Sequence, residues 1–200
     1  ALRLVRKRGA LMQQAVPVGE GAMSAIVAPG VSEAGLSDLI SDLGVDVANL
    51  NSLDQVVISG PVAGVDAADA RIAEKLAQAE VIRLNVSAPF HSRLMRGIEA
   101  EFRRELEAVS SGFDAARSTR VTSNLRGGYH SGALEDLLTA LTGQISGTVN
   151  WVANMRALTA SAPRVVEVGP NRPLKRFFST LGVEITSIMN VKTAQKGLVS

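Results

Sequence analysis

Val45-Asp-Val-Ala-Asn-Leu-Asn-Ser-Leu-Asp-Gln-Val-Val-Ile-Ser59 reads as two short strands, 45–50 and 55–59, joined by the tight connection Asn51-Ser-Leu-Asp54. Branched aliphatic residues occupy the arms and turn-forming polar residues lie between them, the pattern of an antiparallel hairpin. Outward from the hairpin, a strand over 22–28 and a helix over 32–43 precede it. A helix over 65–79 and a strand over 81–84 follow. The order βαββαβ predicts a ferredoxin-like small lobe over 16-86, an antiparallel sheet with two helices on one face.

The flanking segments read differently. Residues 1–15 open in a helix pattern in which, at about 100° per residue, Leu4, Val5, Leu11 and Met12 fall within about 60° of Arg8. Arg8 is therefore a basic residue inside an apolar stripe. A guanidinium facing a core needs an anion, supplied by an internal carboxylate or by a ligand, unless it reaches back to solvent. From Ser92 to Val109 a long surface helix is expected. Strands over 119–123, 164–168 and 184–188 then alternate with helices over 133–145, 149–161 and 172–181. This predicts an α/β large lobe with a parallel sheet, formed by 1-15 and 87-200.

Composition narrows the function classes. With 200 residues, 46% of them apolar and 20% charged, the chain can bury a substantial core. The 21 basic and 19 acidic residues are interspersed and aromatics make up only 4%, which argues against nucleic acid as a partner. No cysteine is present, so disulfides, thiolate metal sites and cysteine nucleophiles are excluded, and a cytoplasmic location is expected. Two histidines cannot build a histidine-rich metal site. No apolar run approaches the ~20 residues of a membrane span. Without an initiator methionine or signal peptide at Ala1, the 200 residues are expected to be part of a longer polypeptide.

Ser87-Ala-Pro-Phe-His-Ser92 places His91 in a proline turn between a strand and a helix. A histidine so held can take a proton from a nucleophile and return it to a leaving group. No Gly-x-Ser-x-Gly elbow accompanies it. Ser92 is too close in sequence to face the imidazole, and Ser24 lies in a strand. His130, after Gly127-Gly-Tyr129, is expected in an exposed loop.

Together these motifs resemble malonyl-CoA:acyl carrier protein transacylases and the acyltransferase domains of polyketide and fatty acid synthases. The resemblance is carried by Arg8-Gly-Ala-Leu-Met-Gln-Gln-Ala-Val-Pro17, Gly21-Ala-Met-Ser-Ala-Ile26, Asn51-Ser-Leu-Asp-Gln-Val-Val-Ile-Ser-Gly60 and Ser87-Ala-Pro-Phe-His-Ser-Arg-Leu-Met95. Gln144-Ile-Ser-Gly-Thr-Val-Asn-Trp151 and Val166-Glu-Val-Gly-Pro170 complete it in the same order.

The resemblance implies an α/β-hydrolase-like large lobe with the ferredoxin-like lobe inserted, and a ping-pong transfer of malonyl from malonyl-CoA to the phosphopantetheine thiol of acyl carrier protein. It implies His91 as catalytic base and acid, Arg8 as the carboxylate-binding residue, and Met12, Asn51 and Phe90 as pocket residues. Phe90 before the histidine favours malonyl over methylmalonyl. Asn150, where the family usually has glutamine, would orient the imidazole through its backbone carbonyl. Leu53 departs from a proline common in the family. The serine nucleophile is expected upstream of Ala1. No cofactor or metal beyond the two substrates is implied, and other synthase components are possible partners. Alternatives are a non-catalytic module that binds the carrier protein or acyl-CoA, its basic helix face formed by Arg93, Arg96, Arg103 and Arg104, and a fragment of a polyketide synthase acyltransferase domain.

Overall fold

The structure, a computed structural model, describes residues 1–197. The small lobe runs β1 (Gly21–Val27), α2 (Leu36–Ile40), β2 (Asp46–Ser52), β3 (Gln55–Pro61), α3 (Val62–Lys75) and β4 (Glu80–Arg83), after an opening helix α1 (Leu2–Gln14). Its strands are ordered β4-β1-β3-β2, all antiparallel. This is the ferredoxin-like arrangement expected from the element order. Alternating side chains send Ile26, Val56 and Ile58 to one face, where Leu36 and Ile40 of α2 and Val65, Ala68 and Ile72 of α3 cover them. The helix expected over 32–43 is shorter. Gly35, at φ 66°, takes a left-handed conformation that separates a 3-10 turn from α2, and a second 3-10 turn follows at Ser41–Leu43.

After β4 the chain forms the histidine turn, a 3-10 segment Arg93–Ile98, and α4 (Glu99–Glu107). The surface helix expected over 92–109 thus begins as 3-10 and becomes α-helical at Glu99. Next come β5 (Thr122–Ser123), β6 (Gly128–Tyr129), α5 (Leu134–Gly143), β7 (Val149–Asn150), α6 (Trp151–Ser161), β8 (Val166–Val168), α7 (Pro173–Ser179), β9 (Thr186–Ile188) and α8 (Val191–Gly197).

Two strand assignments differ from the sequence reading. β5 pairs antiparallel with β6 around Gly127, so the parallel sheet of the large lobe is the pair β8 and β9 rather than three strands. A side chain at Gly127 would meet the Ala153 Cβ at 2.4 Å, and its φ is 69°, so the close turn needs glycine. Val149 and Asn150, expected at the start of a helix, instead add to the small-lobe sheet parallel to β2. Thr148 supports this by donating from Oγ1 to the Val47 carbonyl at 2.7 Å. The large lobe has its own aliphatic cluster, in which Leu11 and Met12 of α1 meet Met95, Phe102, Leu106, Leu138 and Ile145.

Candidate active site

His91 sits in a turn pinned at several atoms. Pro89 and Ala88 are buried. Ser92 donates from Oγ to the Pro89 carbonyl at 2.7 Å and is fully buried. Gly21, opening β1, carries no Cβ because Pro89 packs where it would be: the ring atoms would lie 2.3–2.8 Å away. His91 itself has φ 56°, a left-handed conformation unusual outside glycine. Its Nδ1 lies 2.9 Å from the Gln144 carbonyl. An acceptor there assigns the proton to Nδ1, which leaves the Nε2 lone pair available as a base.

Burial pushes the imidazole below its ordinary 6.5, opposed by the carbonyl hydrogen bond from Gln144 and reinforced by the positive charge of Arg8. His91 is therefore neutral at neutral pH, the form a general base requires.

Arg8, Met12, Asn51, Phe90 and His91, five of the expected site residues, line one pocket of about 560 Å³, together with Met23, Asn49, Val57 and Leu84. Arg8 is half-buried, and burial alone lowers its pKa from the ordinary value. Among the described residues no carboxylate pairs with it. The internal salt bridge that the apolar stripe left open is absent there, so an unneutralised guanidinium faces the pocket. The stripe is only partly covered: Leu11 and Met12 are buried, whereas Val5 remains 68% exposed. Arg8 and His91 also border a second, mostly apolar cavity of about 750 Å³ that reaches Leu4, Phe102, Phe113 and Gln144.

The sequence missed two residues and misassigned one. Ala48 is a β-bulge: Val47 faces Ile58 and Asn49 faces Val57, leaving Ala48 as the extra residue of β2. The bulge turns Asn49 toward the pocket-lining Val57 side of the sheet. Asn49 makes no side-chain hydrogen bond among the described residues, while the Asn51 amide donates to Gln55 Oε1 at 3.0 Å. The spacing of Asn49 and Asn51 was the available signal.

The histidine-orienting carbonyl belongs to Gln144, not Asn150. Asn150 donates from its backbone to the Asn124 carbonyl and from Nδ2 to the Leu125 carbonyl, both at 2.7 Å. Strand pairing of β7 directs it there. The Gln144 side chain adds a bond from Nε2 to the Gly147 carbonyl at 2.9 Å, which braces the same loop.

Other candidates are resolved plainly. Ser24 is fully buried and donates to Asp69 Oδ2 at 2.8 Å. His130 is buried rather than exposed, because the hairpin carries it under α5, with Nδ1 3.6 Å from Asp136. Of the four arginines on the helix face, Arg93 is bound by Asp46 and Arg103 by Glu107 and Glu135. Only Arg96 and Arg104 are exposed without an ion pair among the described residues, which thins the basic face. No group of three potential metal ligands occurs among the described residues, and none of their helices is long and apolar enough to cross a membrane.

"Polyketide biosynthesis protein ThaF" of Burkholderia thailandensis is 36% identical over 172 residues, 84% of this chain and 14% of its own length. The malonyl CoA-acyl carrier protein transacylase of Bacillus subtilis is 34% identical over 180 residues, 87% of this chain and 55% of its own. The chain is thus homologous to malonyl-CoA:acyl carrier protein transacylases and to polyketide-associated transacylases. It spans about half the length of the B. subtilis transacylase. No family model matches it. The transacylase fold is shared: a malonyl-transacylase, solved in complex with a type II polyketide acyl carrier protein, superposes with a TM-score of 0.78 at 26% identity. That match covers 98% of this chain and 64% of the other.

Proposed function

We propose that this chain supplies the base and the acyl-carboxylate pocket of an enzyme that moves malonyl groups from malonyl-CoA to acyl carrier protein. The observation that carries the reading is the unneutralised Arg8 guanidinium in one pocket with the neutral, carbonyl-oriented His91. Arg8 binds the malonyl carboxylate as a two-pronged donor, and Met12, Asn51 and Phe90 shape the space beside it. His91 Nε2 takes the proton of a serine hydroxyl as its oxygen attacks the thioester carbonyl. Collapse of the tetrahedral intermediate breaks the C–S bond, and the imidazolium returns the proton to the departing CoA sulfur. The pantetheine thiol of the carrier then repeats the steps in reverse, and the serine recovers its proton.

The serine belongs to polypeptide outside these 200 residues; the commitment of Ser24 and Ser92 to other partners supports that. The names of the relatives support malonyl-CoA and acyl carrier protein as substrates. No cofactor is proposed beyond them, and the cysteine-free sequence fits the cytoplasm. We assign 16-86 and 1-15 with 87-200 to two lobes. Separate aliphatic clusters support this division, one within the small-lobe sheet and its helices, the other around α1 and α4, with Val16 at the junction.

The test is incubation of the complete gene product with malonyl-CoA followed by intact mass. A gain of one malonyl group is expected; no adduct on the full-length protein overturns the reading. Arg8→Ala should abolish the preference for malonyl-CoA over acetyl-CoA, and retention of that preference removes Arg8 from the role.

A further inference from the structure

Asp46 opens β2, and all of its side-chain hydrogen bonds go to one residue of the histidine segment. Its Oδ2 accepts from the Arg93 backbone N–H at 2.7 Å and from Nε at 3.1 Å. Its Oδ1 accepts from Nε at 3.0 Å and from Nη2 at 2.7 Å. A partly exposed ion pair by itself carries little weight. The bond to the backbone N–H is different, because it fixes the peptide that starts the 3-10 turn Arg93–Ile98, where Ser92 supplies no side-chain cap.

That peptide lies one residue beyond His91. A left-handed conformation at a non-glycine residue persists only where its surroundings over-determine it. Upstream, Pro89 is seated on Gly21 at the start of β1; downstream, Asp46 at the start of β2 holds Arg93. The two anchors lie at the same end of the sheet, since Gly21 pairs with Pro61 and Asp46 with Ser59 on the shared neighbour β3. The small-lobe sheet therefore grips the histidine turn on both sides.

We propose that Asp46 is a positioning residue for His91: through the Arg93 N–H it fixes the strained backbone that aims the imidazole at the Gln144 carbonyl. The inference rests on the reading of His91 as the base. Neither Asp46 nor Arg93 reaches the pocket lined by Arg8 and His91, so the effect is transmitted through the turn.

The test is an NMR titration of the His91 imidazole in this chain. It is paired with kcat and KM for malonyl-CoA in the complete protein. Burial and Arg8 lower the His91 pKa and the Gln144 hydrogen bond raises it, so loosening that bond while the ring stays buried should move the His91 midpoint to lower pH. Asp46→Ala should show this shift together with a roughly 10- to 100-fold fall in kcat at nearly unchanged KM.

Because removing a carboxylate also removes a charge, Asp46→Glu is the decisive variant. It keeps the charge and the ion pair while displacing the carboxylate by one methylene, and it should give the same shift and the same split between kcat and KM. Asp46→Asn, which retains an acceptor for the Arg93 N–H, should recover most of the rate. An unmoved His91 titration and unchanged kcat in a folded Asp46→Glu protein overturn the proposal. A shifted titration with an unchanged transfer rate leaves Asp46 as the positioner and instead removes His91 as the base.

Discussion

The two faces of the small-lobe sheet are built from the same strands and do different work. On one face Ile26, Val56 and Ile58 close against α2 and α3, and every partner comes from within the small lobe. On the other, Met23, Ala25, Ala48 and Val57 meet Leu84 and Phe90, and the surface runs on into the pocket holding Arg8, Asn49, Asn51 and His91. The first face is finished by local elements and is mainly aliphatic, its buried Ser24 hydroxyl bonded to Asp69 of α3. The second is finished by segments distant in sequence, and the remaining space can hold charge and hydrogen-bond donors without burying them unpaired in a core.

The contrast breaks most clearly at His91. In the complete protein His91→Ala should lower the rate of malonyl transfer by about 10²–10⁴-fold while leaving thermal stability nearly unchanged, as read by steady-state kinetics beside a melting curve. A melt shifted as far as a core substitution shifts it would mean that the turn is chiefly structural. On the opposite face Ile58→Ala should cost about 2–5 kcal/mol in denaturant unfolding, because Ile58 is fully buried and its loss leaves a closed cavity. Val57→Ala, one residue along on the pocket wall, should cost less because the pocket is already open there. Equal costs would erase the distinction between the faces.

Gly21→Ala probes the seam between them. Its new methyl would fall 2.3 Å from the Pro89 ring, so the histidine turn must shift. A loss of about 1–3 kcal/mol in stability is expected, with kcat reduced more than KM. The smallest effect concerns pH. Since burial and Arg8 depress the His91 pKa, the neutral base persists until the pH falls through a midpoint below 6.5, and kcat/KM should decline only there. Arg8→Gln removes one lowering influence and should move that acidic limb to higher pH. A limb that moves downward contradicts the electrostatic picture.

Much of this was legible in the sequence because it depends on local repetition. The aliphatic runs in 22–28, 45–50 and 55–59, with turn residues between them, mark the strands and their order, and the stripe around Arg8 marks a cation that needs an anion. The helix over 32–43 was overextended because Gly35 looks tolerable within a periodic pattern, whereas its left-handed φ ends the run. Asn150 was given the orienting role by its place before Trp151. The carbonyl within reach of His91 belongs instead to Gln144, 53 residues from it in sequence.

The sequence by itself determined the βαββαβ lobe, the proline-bound histidine and the isolated arginine. Those follow from side-chain period, turn chemistry and the cost of burying charge, all properties of short segments. Only the tertiary structure decided that Ala48 bulges, that Val149 and Asn150 extend the small-lobe sheet, that His130 is buried, and that Gln144 and Asp46 hold the histidine segment. Each of those depends on which backbone groups meet across long loops. Local periodicity is the same whichever partner a free N–H or carbonyl finds, so the choice is made only when the lobes pack together.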